Sequence, residues 1–109
     1  GALSLLANVG GGGVPGGRTV GRDGTPHVKE GFVTTLEMNV VATFNVCRLG
    51  AVVMAQNEPD GEGERGVIVN TASIAGLEGQ TGQVGYATVK AAILGMTLPL
   101  ARDLSAVGI

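Results

Sequence analysis

A serine, a tyrosine and a lysine stand at a spacing that suits proton transfer. Ser73, Tyr86 and Lys90 follow the pattern S-x12-Y-x3-K, and Tyr86 is the single tyrosine among 109 residues. On a helix, a spacing of four residues places the tyrosine and the lysine on the same face. A positive charge beside a phenol favours the phenolate, so this pair can donate or accept a proton near neutral pH. A serine hydroxyl nearby can donate a hydrogen bond to a substrate oxygen on which charge develops.

Each of these three residues also has a purely structural interpretation. Taken alone, Ser73 is more typical of a turn serine that bonds its own backbone. Tyr86 would pack its ring on a helix and expose its hydroxyl to water, and Lys90 would be an ordinary surface lysine. Nucleophilic catalysis is disfavoured, because the single histidine, His27, is far away in sequence and is predicted to be a solvated loop residue.

Two asparagines add to the set of polar candidates. Asn39 interrupts an apolar helical pattern, and a buried amide in that position indicates a kink or a bound water. Asn70 stands at the end of a predicted strand, where it is expected to tie neighbouring backbone together. No group of histidine, cysteine and acidic residues has the spacing of a metal site, so no metal is expected.

Alternating strands and helices are predicted to position these residues. The predicted elements are a strand at 3–9, a helix from about 29 to 56 that bends or restarts near Asn39, a strand at 66–72, and a helix at 84–104 with Pro99 inside it. The strands are expected to be buried, and the apolar helix at 40–56 is expected to be buried on more than one side. Crossovers of ten or more residues predict a parallel sheet, with Ser73 at the strand end where α/β proteins bind ligands.

A glycine-rich segment after the first strand matches the residue pattern of a dinucleotide-binding motif but lacks the helix that must follow it. Residues Gly11 to Gly16 match G-x-G-x-x-G. A dinucleotide fingerprint must open a helix whose N-terminus binds the pyrophosphate, and residues 17–24 cannot form that helix. No second strand ending in an acidic residue follows about 20 residues later. We therefore expect a flexible loop that lies against a ligand.

Composition restricts the class of protein. The chain is long enough for at most one domain, and its net charge of −2 gives no electrostatic reason to expect nucleic acid or an anionic membrane as a partner. No uninterrupted apolar run approaches the about 18 residues of a membrane span. The single Cys47 excludes a disulfide within the chain and favours a buried thiol in a reducing compartment, either the cytoplasm or, in a eukaryote, the mitochondrial matrix. A start on Gly1 inside an apolar run predicts a piece of a longer polypeptide.

The segment from Gly66 to Lys90 resembles the active-site layout of the short-chain dehydrogenase/reductase family. The resemblance extends to Met38-Asn39-Val40 and to the loop Asn8-Val9-Gly10-Gly11, and so covers nearly the whole chain. Further segments are similar to the type 2 3-hydroxyacyl-CoA dehydrogenase branch of that family: 17–24, 43–46, 79–83 and 96–104. The resemblance implies an α/β, Rossmann-like, doubly wound parallel sheet. Residues 1–109 would be its central, catalytic part, without the N-terminal dinucleotide-binding unit and the C-terminal substrate segment.

The resemblance also implies roles for the catalytic residues. Tyr86 would be the general acid/base. Lys90 would favour its phenolate and hold the nicotinamide ribose. Ser73 would orient the hydroxyl or carbonyl of the substrate, and Asn39 would support a water relay to Lys90.

Binding residues follow from the same resemblance. Asn8 and Gly10 would line the adenosine side of the cofactor, and Tyr86 and Lys90 would contact its nicotinamide side. The residues implied to bind substrate are Ser73, Gln80 and Gln83. NAD is the expected cofactor, with NADP remaining open.

The implied function is an oxidoreductase that moves a hydride between a nicotinamide and a secondary alcohol or ketone, with 3-hydroxyacyl-CoA as the favoured small-molecule substrate. The helices at 40–56 and 86–104 would form the interface of a homo-oligomer. Two alternatives stay open: a non-catalytic relative kept for binding or assembly, and a truncated chain that is inactive in isolation. The complete Ser-Tyr-Lys-Asn set disfavours the first of them.

Overall fold

The structure, a computed structural model, describes residues 2–109. Its elements are β1 (Leu5–Asn8), α1 (Lys29–Leu36), a π-helical segment (Glu37–Val41), α2 (Ala42–Met54), β2 (Val67–Asn70), a 3-10 turn (Ile74–Gly76) and α3 (Val84–Ser105). The predicted order of strands and helices is confirmed. Both strands are shorter than the predicted ranges, and the 3-10 turn after β2 lies where the sequence predicted only loop.

The two strands form a parallel pair. Leu5 lies opposite Val67, and Asn8 lies opposite Asn70. The intervening helices make the crossover that a parallel pair requires. The strands run in the same direction, and their last residues lie opposite each other. The glycine-rich loop and the segment that contains Ser73 therefore both begin at one edge of the sheet. The predicted α/β class is therefore confirmed.

The burial of the strands differs from the prediction. Leu5, Val67 and Val69 are 60%, 47% and 50% exposed, and exposure alternates along both strands. Alternate residues face α2, where a Cβ on Gly50 would lie 2.7 Å from the Leu6 Cδ2 atom. The expectation of buried strands was wrong, because within residues 2–109 helix packing covers only one face of the pair.

Helix α2 is likewise covered on one side. Its buried residues are Thr43, Cys47, Gly50, Ala51 and Met54. Their spacing of three or four defines one helix face, which lies against the sheet. On the other side Phe44 is 50% exposed and Val52 is 61% exposed. The prediction that this helix is buried on more than one side was therefore wrong for the chain by itself.

Two helical stretches are long and apolar enough, by length and composition alone, to cross a membrane. They are Lys29–Met54 and Val84–Ser105, with mean hydropathies of 1.3 and 1.4 over a window of 18 residues. Counting uninterrupted apolar residues did not anticipate this, because a helical window tolerates scattered polar residues. The core helices of soluble proteins meet the same criterion. Both stretches carry buried polar candidates, Asn39 at 1% exposed and Lys90 at 4%.

The predicted bend near Asn39 is a π-helical segment. The Ala42 N–H reaches the Glu37 carbonyl, five residues earlier. The Asn39 Nδ2 atom donates to the Thr35 carbonyl at 2.8 Å. Such bulges are frequent at functional sites because they reorient a side chain within a helix. Here the bulge accompanies a buried amide that faces away from solvent.

Gly76 allows the 3-10 turn to lie against the backbone of α3. A Cβ at this position would be 2.8 Å from the Ala91 nitrogen and 2.9 Å from the Lys90 carbonyl carbon. We expect Gly76→Ala to lower the free energy of unfolding by about 1–3 kcal/mol, because neither backbone can yield without moving α3. Urea denaturation of the protein measures this loss. Gly61→Ala is the control, since a Cβ on Gly61 meets nothing within 4 Å; equal midpoints for the two variants would contradict the packing described.

Candidate active site

Tyr86 and Lys90 lie together in the first two turns of α3. The Lys90 Nζ atom is 5.7 Å from the centroid of the Tyr86 ring. This confirms that the spacing of four residues places both side chains on one helix face. Tyr86 is half-buried and lines a cavity of about 310 Å³. The two residues can therefore act on the same reacting group.

Lys90 is not a surface lysine. Its side chain is 4% exposed, and Nζ donates to the Thr71 carbonyl at 3.2 Å. An ammonium group carries three N–H donors, and within residues 2–109 the structure gives Nζ this one acceptor. A buried charge must be compensated by partners. The position therefore favours a ligand that offers oxygen acceptors to the remaining N–H groups.

Ser73 caps the N-terminus of the 3-10 turn that follows β2. Its Oγ atom accepts a hydrogen bond from the Ala75 N–H at 3.1 Å. This is the turn interaction typical of a serine in such a position. Because Oγ acts as an acceptor there, its own hydrogen remains available for a substrate oxygen. The structural and the catalytic interpretations of Ser73 are therefore compatible.

The glycine-rich loop, residues 10–17, lies beside Asn39 and Lys90. Asn39 Oδ1 accepts from the Gly12 N–H at 3.1 Å, and Nδ2 donates to the Gly12 carbonyl. Gly11 has a φ of +141°, and a Cβ there would be 2.6 Å from Asn39 Oδ1 and 3.6 Å from Lys90 Nζ. Only glycine allows so close an approach. No helix follows the loop before Lys29, so the rejection of the nucleotide fingerprint is confirmed.

The predicted cofactor residues at the end of β1 have different surroundings. The Asn8 side chain donates to Asn70 Oδ1 at 2.8 Å and lies 3.4 Å from the Cys47 sulfur. It thus faces α2, and the asparagine pair ties the two strands together through side chains. The Cys47 thiol is fully buried, as predicted. Gly10 is exposed, with open space around it.

Gln80 and Gln83 form a tight turn before α3. The Gln80 N–H donates to Gln83 Oε1, and the Gln83 N–H donates to the Gln80 carbonyl, both at 3.0 Å. Gln83 lines the cavity that contains Tyr86. Gln80 is exposed and lines a neighbouring groove of about 550 Å³, together with Arg18 and Val20. We call it the outer groove. The two glutamines therefore lie on the approach to the candidate catalytic residues.

A short loop, residues 20–26, borders this outer groove. Val20 and Pro26 pair in an antiparallel bridge, and Asp23 stands in the turn between them. The hydroxyl of Thr25, at 2.7 Å, and then its N–H, at 3.1 Å, hold the pKa of the Asp23 carboxyl below its ordinary value. The turn is thus stabilised by a carboxylate that stays ionised at neutral pH.

Three residues at the site were missed from the sequence. His27 is half-buried, with Nδ1 2.9 Å from the Val28 carbonyl, and its ring packs so closely on Gly16 that a Cβ there would collide with it. His27 lies in a loop, as predicted, but its ring is only partly exposed to solvent. Thr71 contributes a carbonyl, which leaves no side-chain signal. Thr35 could have been found, because it precedes Asn39 by one helical turn and so shares its face.

Comparison with known proteins identifies the fold around this geometry. The family model described as short chain dehydrogenase matches residues 1–109. The chain belongs to the short-chain dehydrogenase family. The match confirms the family resemblance drawn from the Ser-Tyr-Lys spacing.

Several curated relatives of this short-chain dehydrogenase segment share one name. It is 57% identical over 83 residues to 3-hydroxyacyl-CoA dehydrogenase type-2 of Rattus norvegicus, covering 76% of this chain and 32% of the relative. It is 54% identical over 88 residues to the Homo sapiens protein of that name, covering 81% of this chain and 34% of the relative. The chain spans about a third of the length of these relatives.

Solved structures show the same architecture. 3-Hydroxyacyl-CoA dehydrogenase type-2 from Mycobacterium avium superposes with a TM-score of 0.96 at 47% identity, over 100% of this chain and 43% of that one. A 7α-hydroxysteroid dehydrogenase, complexed with NADH and 7-oxo glycochenodeoxycholic acid, superposes with a TM-score of 0.77 at 29% identity, over 99% of this chain and 37% of that one. The strands and helices of residues 2–109 are thus part of a Rossmann-type fold of this family.

Proposed function

We propose that this segment carries the catalytic centre of an NAD-dependent oxidoreductase that interconverts a secondary alcohol and a ketone, with 3-hydroxyacyl-CoA as substrate. The observation that carries the proposal is the buried ammonium of Lys90. Its Nζ atom lies 5.7 Å from the centroid of the Tyr86 ring, and within residues 2–109 it has one hydrogen-bond acceptor for its three N–H donors. An ammonium so placed can assist proton transfer at the Tyr86 hydroxyl.

The residues beside Lys90 fit the nicotinamide end of the cofactor. The spare N–H donors of Lys90 suit the hydroxyls of a ribose, and the backbone of Gly11 lies close beside the Lys90 Nζ atom. When bound, the nicotinamide ring supplies the carbon that accepts or returns the hydride. NAD is favoured because a solved relative at 29% identity is complexed with NADH. Titration of the intact protein with NADH and NADPH distinguishes the two cofactors.

Residues of this chain are proposed to carry out the proton transfer that accompanies hydride transfer. In the direction of alcohol oxidation, the Tyr86 phenolate removes the hydroxyl proton as the C–H hydride leaves the substrate. Ser73 donates its hydroxyl hydrogen to the same substrate oxygen and holds it in place. Asn39 secures the loop at Gly12 and is proposed to support the water relay that carries the proton away through Lys90. In the reverse direction Tyr86 returns the proton to the forming alcohol.

The proposed substrate is supported by the names of two relatives and by the cavities that lead to Tyr86. Two relatives at 54–57% identity are named 3-hydroxyacyl-CoA dehydrogenase type-2. The cavity at Gln83 and the outer groove along Gln80 and Arg18 are proposed to receive the acyl group and the extended tail. Oxidation of NADH by the intact protein, with acetoacetyl-CoA or a ketosteroid as acceptor, tests this choice.

We expect acetoacetyl-CoA to give the higher kcat/KM by at least about tenfold, which corresponds to about 1.4 kcal/mol of transition-state binding. Turnover of the ketosteroid alone would overturn the acyl-CoA assignment and leave the oxidoreductase intact. Cofactor binding without turnover of any ketone would favour the non-catalytic alternative.

We also propose that the protein is a homo-oligomer joined through the outer faces of α2 and α3. Leu49 is 50% exposed, Val52 is 61% exposed and Leu98 is 55% exposed, an unusual apolar surface for a monomer. We expect Leu49→Glu to convert the intact protein to a smaller species in light scattering, because a buried unpaired carboxylate opposes association. Gln56→Glu adds the same charge just beyond α2 and should leave the mass unchanged. An unchanged mass for Leu49→Glu would contradict this interface.

A further inference from the structure

Thr35 is a buried polar residue to which neither the sequence nor the proposed mechanism assigns a role. Its side chain is 2% exposed and lies on α1. The hydroxyl donates to the Gly31 carbonyl at 2.9 Å and accepts from the Val14 N–H at 3.2 Å. The first bond is ordinary for a helical threonine. The second reaches across to the glycine-rich loop.

Thr35 and Asn39 together hold two alternate residues of that loop. Asn39 binds the backbone of Gly12, and Thr35 binds the N–H of Val14. Four residues along a helix advance about 6 Å, and two residues along an extended chain advance about 6.6 Å. The spacing of the two side chains on the helix therefore matches the spacing of the two residues that they hold.

The residue between these two attachment points lies against the catalytic tyrosine. A Cβ on Gly13 would be 3.6 Å from the Tyr86 Cβ atom and 3.8 Å from its Cδ2 atom. Gly13, Val14, Thr35 and Tyr86 all line the same cavity. The loop is thus one wall of the site, and the position of that wall depends on where its backbone is held.

Two threonines of α3 make only the first kind of bond. Thr88 donates to the Val84 carbonyl at 2.6 Å, and Thr97 donates to the Ile93 carbonyl at 3.0 Å. Both are exposed, and neither accepts a hydrogen bond from another segment within residues 2–109. Thr35 differs by its burial and by its contact with the loop.

We propose that Thr35 is a positioning residue that, through the Val14 N–H, fixes the glycine-rich loop against the Tyr86 ring and so sets the place of the substrate oxygen relative to Tyr86. The proposal rests on the proposed function for its catalytic part. Its structural part, the seating of the loop, is measurable whether or not the protein turns over a substrate.

Thr35→Val and Thr35→Ser in the intact protein separate the hydroxyl from the shape of the side chain. Valine keeps the volume and leaves the Val14 N–H without its acceptor, whereas serine keeps the hydroxyl. We expect Thr35→Val to accelerate hydrogen exchange at the Val14 amide by about tenfold, the effect of one net hydrogen bond. We also expect kcat with acetoacetyl-CoA to fall by a similar factor, with KM for NADH unchanged. Thr35→Ser should restore both values.

Thr97→Val, which removes a hydroxyl that bonds only its own helix, is the control for general loss of helix stability. Unchanged exchange at Val14 in Thr35→Val would overturn the proposal, as would faster exchange with unchanged kcat. Equal losses in the valine and serine variants would also overturn it, because they would make the hydroxyl irrelevant. Absence of turnover in the unmodified protein is the separate sign that the proposed function itself has failed.

Discussion

Tyr86→Phe is expected to lower kcat for ketone reduction by about 10²- to 10⁴-fold, the usual contribution of a positioned general acid or base. The substitution removes one oxygen and keeps the ring, so the cavity that the ring lines retains its shape. Lys90 keeps its place beneath the ring and its bond to Thr71. Binding of NADH should therefore stay within a few-fold of the unmodified value while turnover is lost. Steady-state kinetics and a fluorescence titration measure the two quantities separately.

Thr88→Val is the matched control for this experiment. Thr88 lies two residues further along α3, and its exposed hydroxyl bonds only the Val84 carbonyl. It should leave kcat unchanged. If Tyr86→Phe kept kcat within about threefold of the unmodified protein, Tyr86 would not be the proton donor. The spacing from which the function was inferred would then have only a structural meaning.

Lys90→Met is expected to reduce both the affinity for NADH and kcat, with a loss in kcat of about 10²- to 10³-fold. Methionine is similar in length and apolar, so it fills the buried position without the charge. The variant loses the buried ammonium beside Tyr86 and the N–H donors that the cofactor is proposed to use. Because replacing a buried charge by an apolar group of similar volume costs little folding stability, the urea midpoint should change little.

Lys29→Met provides the comparison, since Lys29 is the other lysine of the chain and is exposed at the start of α1. It should match the unmodified protein in affinity, turnover and unfolding. A Lys90→Met variant that bound NADH normally would remove Lys90 from the cofactor site. A variant that bound NADH weakly but turned over at the normal rate would remove it from proton transfer.

The local parts of this site were predictable from sequence, because they depend on short spacings. A separation of four residues on one helix is enough to bring Tyr86 and Lys90 together. The order of strands and helices follows from hydrophobic periodicity and from the glycine and proline residues between them. The position of the helix distortion followed from one polar residue, Asn39, in an apolar pattern, although its π-helical form did not.

The parts that were missed depend on contacts between distant segments. Val67 and Val69 have the sequence of a buried strand, but their exposure is decided by what packs on the sheet from elsewhere. The contact between Thr35 and the Val14 N–H joins residues 21 apart, and no local pattern encodes it. Thr71 acts through its carbonyl, which every residue possesses. Such features depend on how distant segments meet in the folded chain, and residue type alone does not reveal them.

We propose that this site passes a hydride directly between a secondary alcohol carbon and a nicotinamide while Tyr86 accepts or returns the proton. Oxidation of 3-hydroxybutyryl-CoA that carries deuterium at its alcohol carbon, with NAD and the intact protein, tests it most directly. We expect the deuterium to appear at the reacting ring carbon of the reduced nicotinamide and not in water. Deuterium released to the solvent, or a reduced cofactor that carries none, would contradict it.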